Sequence, residues 1–114
     1  MAQPPIVEIK DVAPRQRVLD VSGWNKPLVI RSEKEAADHF ASDQLDKLKI
    51  QVDFEKQFVL LFAWRGSGQD RLSYVVAESY PEQVMFQYTP GRTKDLRPHV
   101  YLYALRSQVT WRVR

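Results

Sequence analysis

Two segments carry the residue types that could do chemistry. The first reads Arg65-Gly66-Ser67-Gly68-Gln69-Asp70-Arg71. Gly66 and Gly68 permit positive φ and so could aim successive amides at one point, while Arg65 and Arg71 add charge. The ligand such a turn would take is an anion or a carboxylate. The Lys-Ser/Thr ending and following helix of a P-loop are absent, and so is a dinucleotide fingerprint. The plain alternative is a hairpin loop behind a buried strand, with Asp70 paired to Arg71 or to a cross-strand arginine.

The second segment reads Arg92-Thr93-Lys94-Asp95-Leu96-Arg97-Pro98-His99. Arg92, Lys94 and Arg97 beside Asp95 and His99 suit an acidic ligand, or an Asp95–His99 acid/base pair. A hydrolase would also need a nucleophile, and Ser67, Ser73 and Thr93 sit in no recognisable elbow. With His39 and His99 as the chain's two histidines and no cysteine, thiolate zinc sites, iron–sulfur clusters, disulfides and cysteine nucleophiles are excluded. No metal site and no cofactor is expected. His39, in a helical segment beside Phe40, reads as a surface or satisfied interface histidine. Asp53 reads as a turn or capping acid.

Stepping along the 114 residues, the elements that must position these segments follow from hydrophobic pattern. One domain spanning 1–114 is expected from that length. Residues 6–10 and 17–21 alternate and read as half-buried strands, the first at an edge, and 27–31 reads as a third. Ser32 followed by Glu35 has capping-box spacing and starts a helix. Ala36, Ala37 and Phe40 share a face, a break falls at Ala41-Ser42, and Leu45 and Leu48 continue the pattern to Lys49. Phe58 to Trp64 is continuously apolar, which places it at the centre of a sheet covered on both sides. Residues 71–78, 83–89, 99–105 and 108–114 follow as strands joined by short turns, which suggests an antiparallel meander. In the last, Val109, Trp111 and Val113 share one face. In the one before, Val100, Leu102 and Ala104 read as the core face, leaving Tyr101 and Tyr103 in an aromatic row outside the main core. The fold expected is α+β, a mainly antiparallel sheet curled into a sandwich or half-barrel, with the helical segment of residues 32–49 on one face or closing one end.

The order Val52-Asp53-Phe54, an apolar strand, the glycine turn at residues 65–71 and then a β-rich tail with a polar loop resembles the bacterial family of small β-rich domains named after the C-terminal part of the protease-complex subunit PrcB. The resemblance covers about the C-terminal half. Here Asp70-Arg71-Leu72-Ser73 delays to Tyr74 an aromatic that the family places directly after its glycine turn, and the later loop is more basic. The resemblance implies an exported or lipid-anchored bacterial module that binds other proteins and has no activity of its own.

Net charge is +3, split as −1 over residues 1–64 and +4 over residues 65–114, so the basic excess lies in the half that carries both candidate segments. That excess is smaller than the dense clusters of a dedicated nucleic-acid binder. No apolar run reaches the length of a membrane span. The start of the sequence lacks a signal-peptide pattern, which fits either a cytoplasmic chain or an exported one whose leader has been removed. The reading is a non-enzymatic protein-interaction module presenting the Gly66–Arg71 turn, the Arg92–His99 loop and the Tyr101/Tyr103 row to a protein or other acidic partner. The alternatives are a nucleic-acid or polyanion binder, with aromatics stacking beside Arg106 or Arg112, and a small hydrolase using Asp95 and His99.

Overall fold

The computed structural model describes residues 4–114. Its organising element is β3 (Gln57–Gly66), in which eight consecutive residues from Gln57 to Trp64 are buried. A strand can bury both faces only inside a layered structure, and β3 is the middle of one. It pairs antiparallel along its whole length with β6 (Arg97–Arg106), from Gln57 opposite Arg106 to Gly66 opposite Arg97. On the flanks lie β1 (Ile6–Glu8), paired with β6, and β2 (Leu28–Ile30), paired with β3, giving the order β1-β6-β3-β2. A second sheet, in the order β4-β5-β7, holds β4 (Arg71–Ala77), β5 (Gln83–Thr89) and β7 (Thr110–Val113).

Alternation along β3 divides its side chains between two cores. Val59, Leu61 and Ala63 join Leu102 and Ala104 of β6 beneath the helices, with Ile30, Ala36, Phe40, Leu48 and Val52. Phe58, Leu60, Phe62 and Trp64 join Tyr103 and Leu105 beneath the second sheet, against Leu72, Val84 and Phe86. The fold is therefore α+β with mainly antiparallel sheets, stacked as a helical layer, a four-stranded sheet and a three-stranded sheet.

The helical segment does break, but earlier than the expected Ala41-Ser42: α2 (Glu33–Ala37) ends before His39 and Phe40, and α3 (Ser42–Gln51) takes in Ser42, both helices lying on one face of the four-stranded sheet. Ser32 caps α2 by accepting from the Glu35 amide at 3.1 Å, while the Glu35 carboxylate accepts from the Arg31 amide at 2.7 Å, one residue earlier than a capping box requires. Ser32→Ala is expected to cost about 1 kcal/mol in urea unfolding, since it leaves that amide without its acceptor.

Three expectations are corrected. Residues 17–21 are not a strand: α1 (Val18–Val21) is a single helical turn that buries Val18. The reason is competition at the edge of β3. Ser22, just after α1, donates its hydroxyl to the Leu61 carbonyl at 2.9 Å and accepts from the Ala63 amide at 3.3 Å, which fills the positions a strand would need. The late strands do not form one antiparallel meander, because β6 belongs to the first sheet and β7 runs parallel to β5, with Gln83 opposite Thr110. The aromatic row of β6 is not outside the core either. It faces the second core, Tyr103 is only 3% exposed, and burial there pushes its hydroxyl pKa up. The alternation of β7 stands as read, with Val109, Trp111 and Val113 against the second core.

Candidate functional site

β3 and β6 end together at Gly66 and Arg97, which brings the turn after β3 against the loop before β6. The two candidate segments, 26 or so residues apart, are thereby joined side by side. Ser67 Oγ accepts from the amides of Gln69 at 3.2 Å and Thr93 at 3.1 Å and shares a short hydrogen bond with the Thr93 hydroxyl. The Gly68 amide donates to Asp95 Oδ1 at 3.1 Å, and the Arg92 amide donates to Gln69 Oε1 at 3.3 Å. His99 Nε2 lies 2.7 Å from the Ser67 carbonyl, which makes that nitrogen the protonated one.

Beneath these bonds lies Asp70, 2% exposed. Its Oδ2 accepts from Trp64 Nε1 and from the Tyr88 hydroxyl, each at 3.0 Å, and its Oδ1 accepts from the Gly91 amide at 2.7 Å. Burial alone would raise the carboxyl pKa, but the Gly91 amide, the indole, the phenol and the nearby His99 outweigh it and hold the group below its ordinary value. Burial and this carboxylate together push the Tyr88 hydroxyl upward. The donors are themselves fixed by stacking. Trp64 lies against His99 at 5.0 Å and Tyr101 at 5.5 Å between centroids, and Tyr88 is stacked on Trp24 at 4.2 Å. Asp70 thus pairs with neither Arg71 nor a cross-strand arginine, as the plain alternative expected. Arg71 starts β4 on the exposed side, opposite Thr89.

The glycines serve close approach rather than conformation. No described glycine has positive φ, which corrects the expectation for Gly66 and Gly68. A Cβ on Gly68 would stand 2.6 Å from Asp95 Oδ2, and one on Gly66 would collide with the Asp70 carboxylate. At Gly91, which the sequence reading passed over, a Cβ would stand 2.5 Å from both Ser67 Oγ and Gln69 Cβ and 2.7 Å from the Gln69 backbone. Gly91→Ala is expected to destabilise by about 1–3 kcal/mol in chemical unfolding, because backbone must move to admit the methyl group.

Gly68, Gln69, Thr93, Asp95, Arg97 and His99 surround an open cleft of about 440 Å³. Asp95 is held well below the usual carboxylate range by the Thr93 hydroxyl, the Gly68 amide and Arg97, whose Nε lies 3.0 Å from its Oδ2. The Asp95–His99 acid/base pair does not form. Asp95 turns to Gly68 and Arg97, and His99 turns to the Ser67 carbonyl, not to its hydroxyl. Nor is Ser67 Oγ an activated nucleophile, since two amides and the Thr93 hydroxyl occupy it. Arg65 lies apart from the cleft, with Nη1 2.9 Å from Asp20 Oδ1 of α1. Arg92 and Lys94 are exposed and enter no ion pair among the described residues, and Leu96 between them and β6 is 72% exposed. Tyr103 is buried and unavailable to a partner, while Tyr101 is half-buried.

Elsewhere, Asp53 is the turn acid expected, accepting from the Glu55 amide at 3.0 Å. His39 is not satisfied as expected, for its Nδ1 is buried with no partner among the described residues. Arg106 pairs with Glu82, and Arg112 leans on Met85 Sδ and stacks on no aromatic ring among the described residues. Among the described residues no group of three or more His, Asp or Glu side chains is placed to hold a metal ion, and no helix is long and apolar enough to cross a membrane. No family model, curated protein or solved structure matches the chain.

Proposed function

We propose that the chain is a non-enzymatic protein-interaction module that docks an acidic segment of a partner protein on the platform formed by residues 67–70 and 90–99. One observation carries this reading. Residues 90–96 form no helix or strand, yet four successive residues of the facing turn hold them by hydrogen bonds, while Arg92, Lys94 and Leu96 point outward. A loop fixed in advance loses little conformational entropy when it binds. Two cations without an ion pair among the described residues, beside an exposed leucine, suit a carboxylate-bearing segment with an apolar residue. The PrcB-like order of elements adds the same expectation of a binding module, within an exported bacterial protein.

The test places a photo-crosslinking phenylalanine at Leu96 and compares the chain with an Arg92→Ala/Lys94→Ala variant whose circular dichroism and melting are unchanged. One defined protein crosslinked at moderate salt, and weakened about tenfold in the variant, is the expected result. Recovery of nucleic acid alone, lost as salt rises, would replace this reading with polyanion binding.

A further inference from the structure

A second recess lies on the helix side of the four-stranded sheet, about 450 Å³ in volume and lined mainly by Ile9, Val12, Pro14, Leu19, Val100 and Leu102. Its wall is a strand edge that the chain's own β1 leaves incomplete. The Ile9 amide donates to the Leu102 carbonyl at 2.9 Å and the Arg106 amide to the Pro5 carbonyl at 3.1 Å, so the even-numbered peptide groups of β6 face β1. The next even position is Val100. Its amide and carbonyl face the same edge and have no hydrogen-bond partner among the described residues, because main-chain pairing with β6 ends at Ile9, bonded to Leu102. Val100 is 41% exposed.

The chain is turned off this edge by a specific device. Asp11 has φ of 61°, the one described non-glycine residue in the left-handed region, a conformation in which Asp is tolerated better than most residues. Beside it, Gln51 of α3 holds the Lys10 backbone from both sides, accepting from its amide at 3.0 Å and donating to its carbonyl at 2.7 Å. From there the chain crosses to the helices, where the Ala13 amide meets Gln44 and the Arg15 amide meets the His39 carbonyl. An open ladder position and an apolar recess are left side by side.

We infer that this edge takes an extended peptide of a partner protein, added as a strand to β6 in line with β1, with an apolar side chain opposite Val100 and acidic residues following it. The hydrogen-bonding arithmetic requires the first part. A residue opposite Val100 in an antiparallel ladder exchanges both main-chain bonds with it. Its side chain lies on the same face as that of Val100, which is the face of the recess. Charge complementarity supplies the second part. A peptide continuing the direction of β1 runs toward Pro98, which this recess shares with the neighbouring cleft; Arg97 and Thr93 line that cleft, and Arg92 and Lys94, which flank Thr93, enter no ion pair among the described residues. Strand addition of this kind draws affinity from main-chain bonds and selectivity from the alternate pockets. The inference rests on the docking platform for its acidic half alone.

The probe is the peptide Ser-Ile-Thr-Val-Asp-Glu-Asp, labelled with fluorescein at its C-terminus, with binding read by anisotropy and the Val100 amide followed by NMR. Saturation with Kd on the order of 10–100 µM is expected, with protection of the Val100 amide from exchange. Methylating the isoleucine amide removes the donor to the Val100 carbonyl and should weaken binding about fivefold or more. Val100→Glu, checked for an unchanged melt, should do the same. A peptide with the acids replaced by Ser separates the two halves. If it still protects Val100 with undiminished affinity, the strand edge stands and the cationic platform does not. Failure to saturate at millimolar peptide, or binding unmoved by methylation and by Val100→Glu, overturns the strand-edge inference.

Discussion

Asp70→Ala is expected to cost about 3 kcal/mol of folding stability and to lower the melting temperature by about 10 °C or more. The substitution removes one carboxylate and strands three donors: the Trp64 indole, the Tyr88 hydroxyl and the Gly91 amide. A buried donor without its acceptor loses the full benefit of hydration it gave up on folding. The loss should be uneven, since Gly91 is the point from which residues 92–96 extend across the cleft. Hydrogen exchange should therefore quicken at Gly91, Arg92 and Thr93 more than in β3. Asp70→Asn gives the pH dependence. The Asp70 pKa is lowered in the folded chain, so its contribution is complete above the unfolded carboxylate value of about 3.9 and fades as pH falls through the lower folded value. The stability difference between the native chain and Asp70→Asn should be flat near neutrality and shrink below about pH 4. Asp95, also held low, acts in the same acid range but is common to both chains and cancels in the comparison. A difference that stays constant to pH 2 would remove the carboxylate from this role.

Phe62→Ala is expected to cost about 3–5 kcal/mol. Phe62 is fully buried where the two sheets meet, its ring 4.8 Å from that of Phe86 and 6.2 Å from that of Tyr103. Those partners belong to different sheets, so the lost ring leaves a void that neither sheet can close without sliding on the other. Phe62→Leu should recover most of the loss in guanidinium unfolding. The near-ultraviolet circular dichroism should weaken with both substitutions, because Tyr74 stands against Phe86 and Tyr103 in the same cluster. A cost below about 1 kcal/mol would mean that the second sheet is held mainly by its rim.

How much of this the sequence disclosed depends on whether a feature is local. The continuous apolar run at Phe58 to Trp64 and the alternation of Val109, Trp111 and Val113 each need only neighbours in the chain to be read, and each is where the pattern put it; the helix break is legible as a break but falls at residues 38–41. Residues 17–21 misled because a short alternating run and one helical turn bury the same single side chain, and the choice was made by Ser22 at the distant edge of β3. In β6 both faces are apolar at one end, so Tyr103 looked displaced from a core that proved to be doubled. Both halves of the candidate site stood out by composition. Their union did not, since nothing local links Ser67 to Thr93 or Asp70 to Gly91. Asp70 beside Arg71 suggested a surface pair, but adjacent residues on an extended chain point to opposite sides, and the carboxylate went inward. The sequence signal that could have found Gly91 was its place after Tyr88-Thr89-Pro90, where a residue without a side chain is needed if another segment is to cross.

The pairing of Ile6 with Leu105 carries a consequence for the order in which the molecule is made. β3 cannot bury either face until β6 has arrived, and β1 has no other described strand to lie against. Once residues 57–66 have emerged and while β6 is still inside the exit tunnel, the most apolar stretch of the chain has only β2 at its side, and the helices have half a floor. Neither core can close during that interval. Stalled nascent chains ending before β6 should accordingly be held by chaperones and cut readily by protease, and resistance should appear in one step once residues 97–106 have left the exit tunnel.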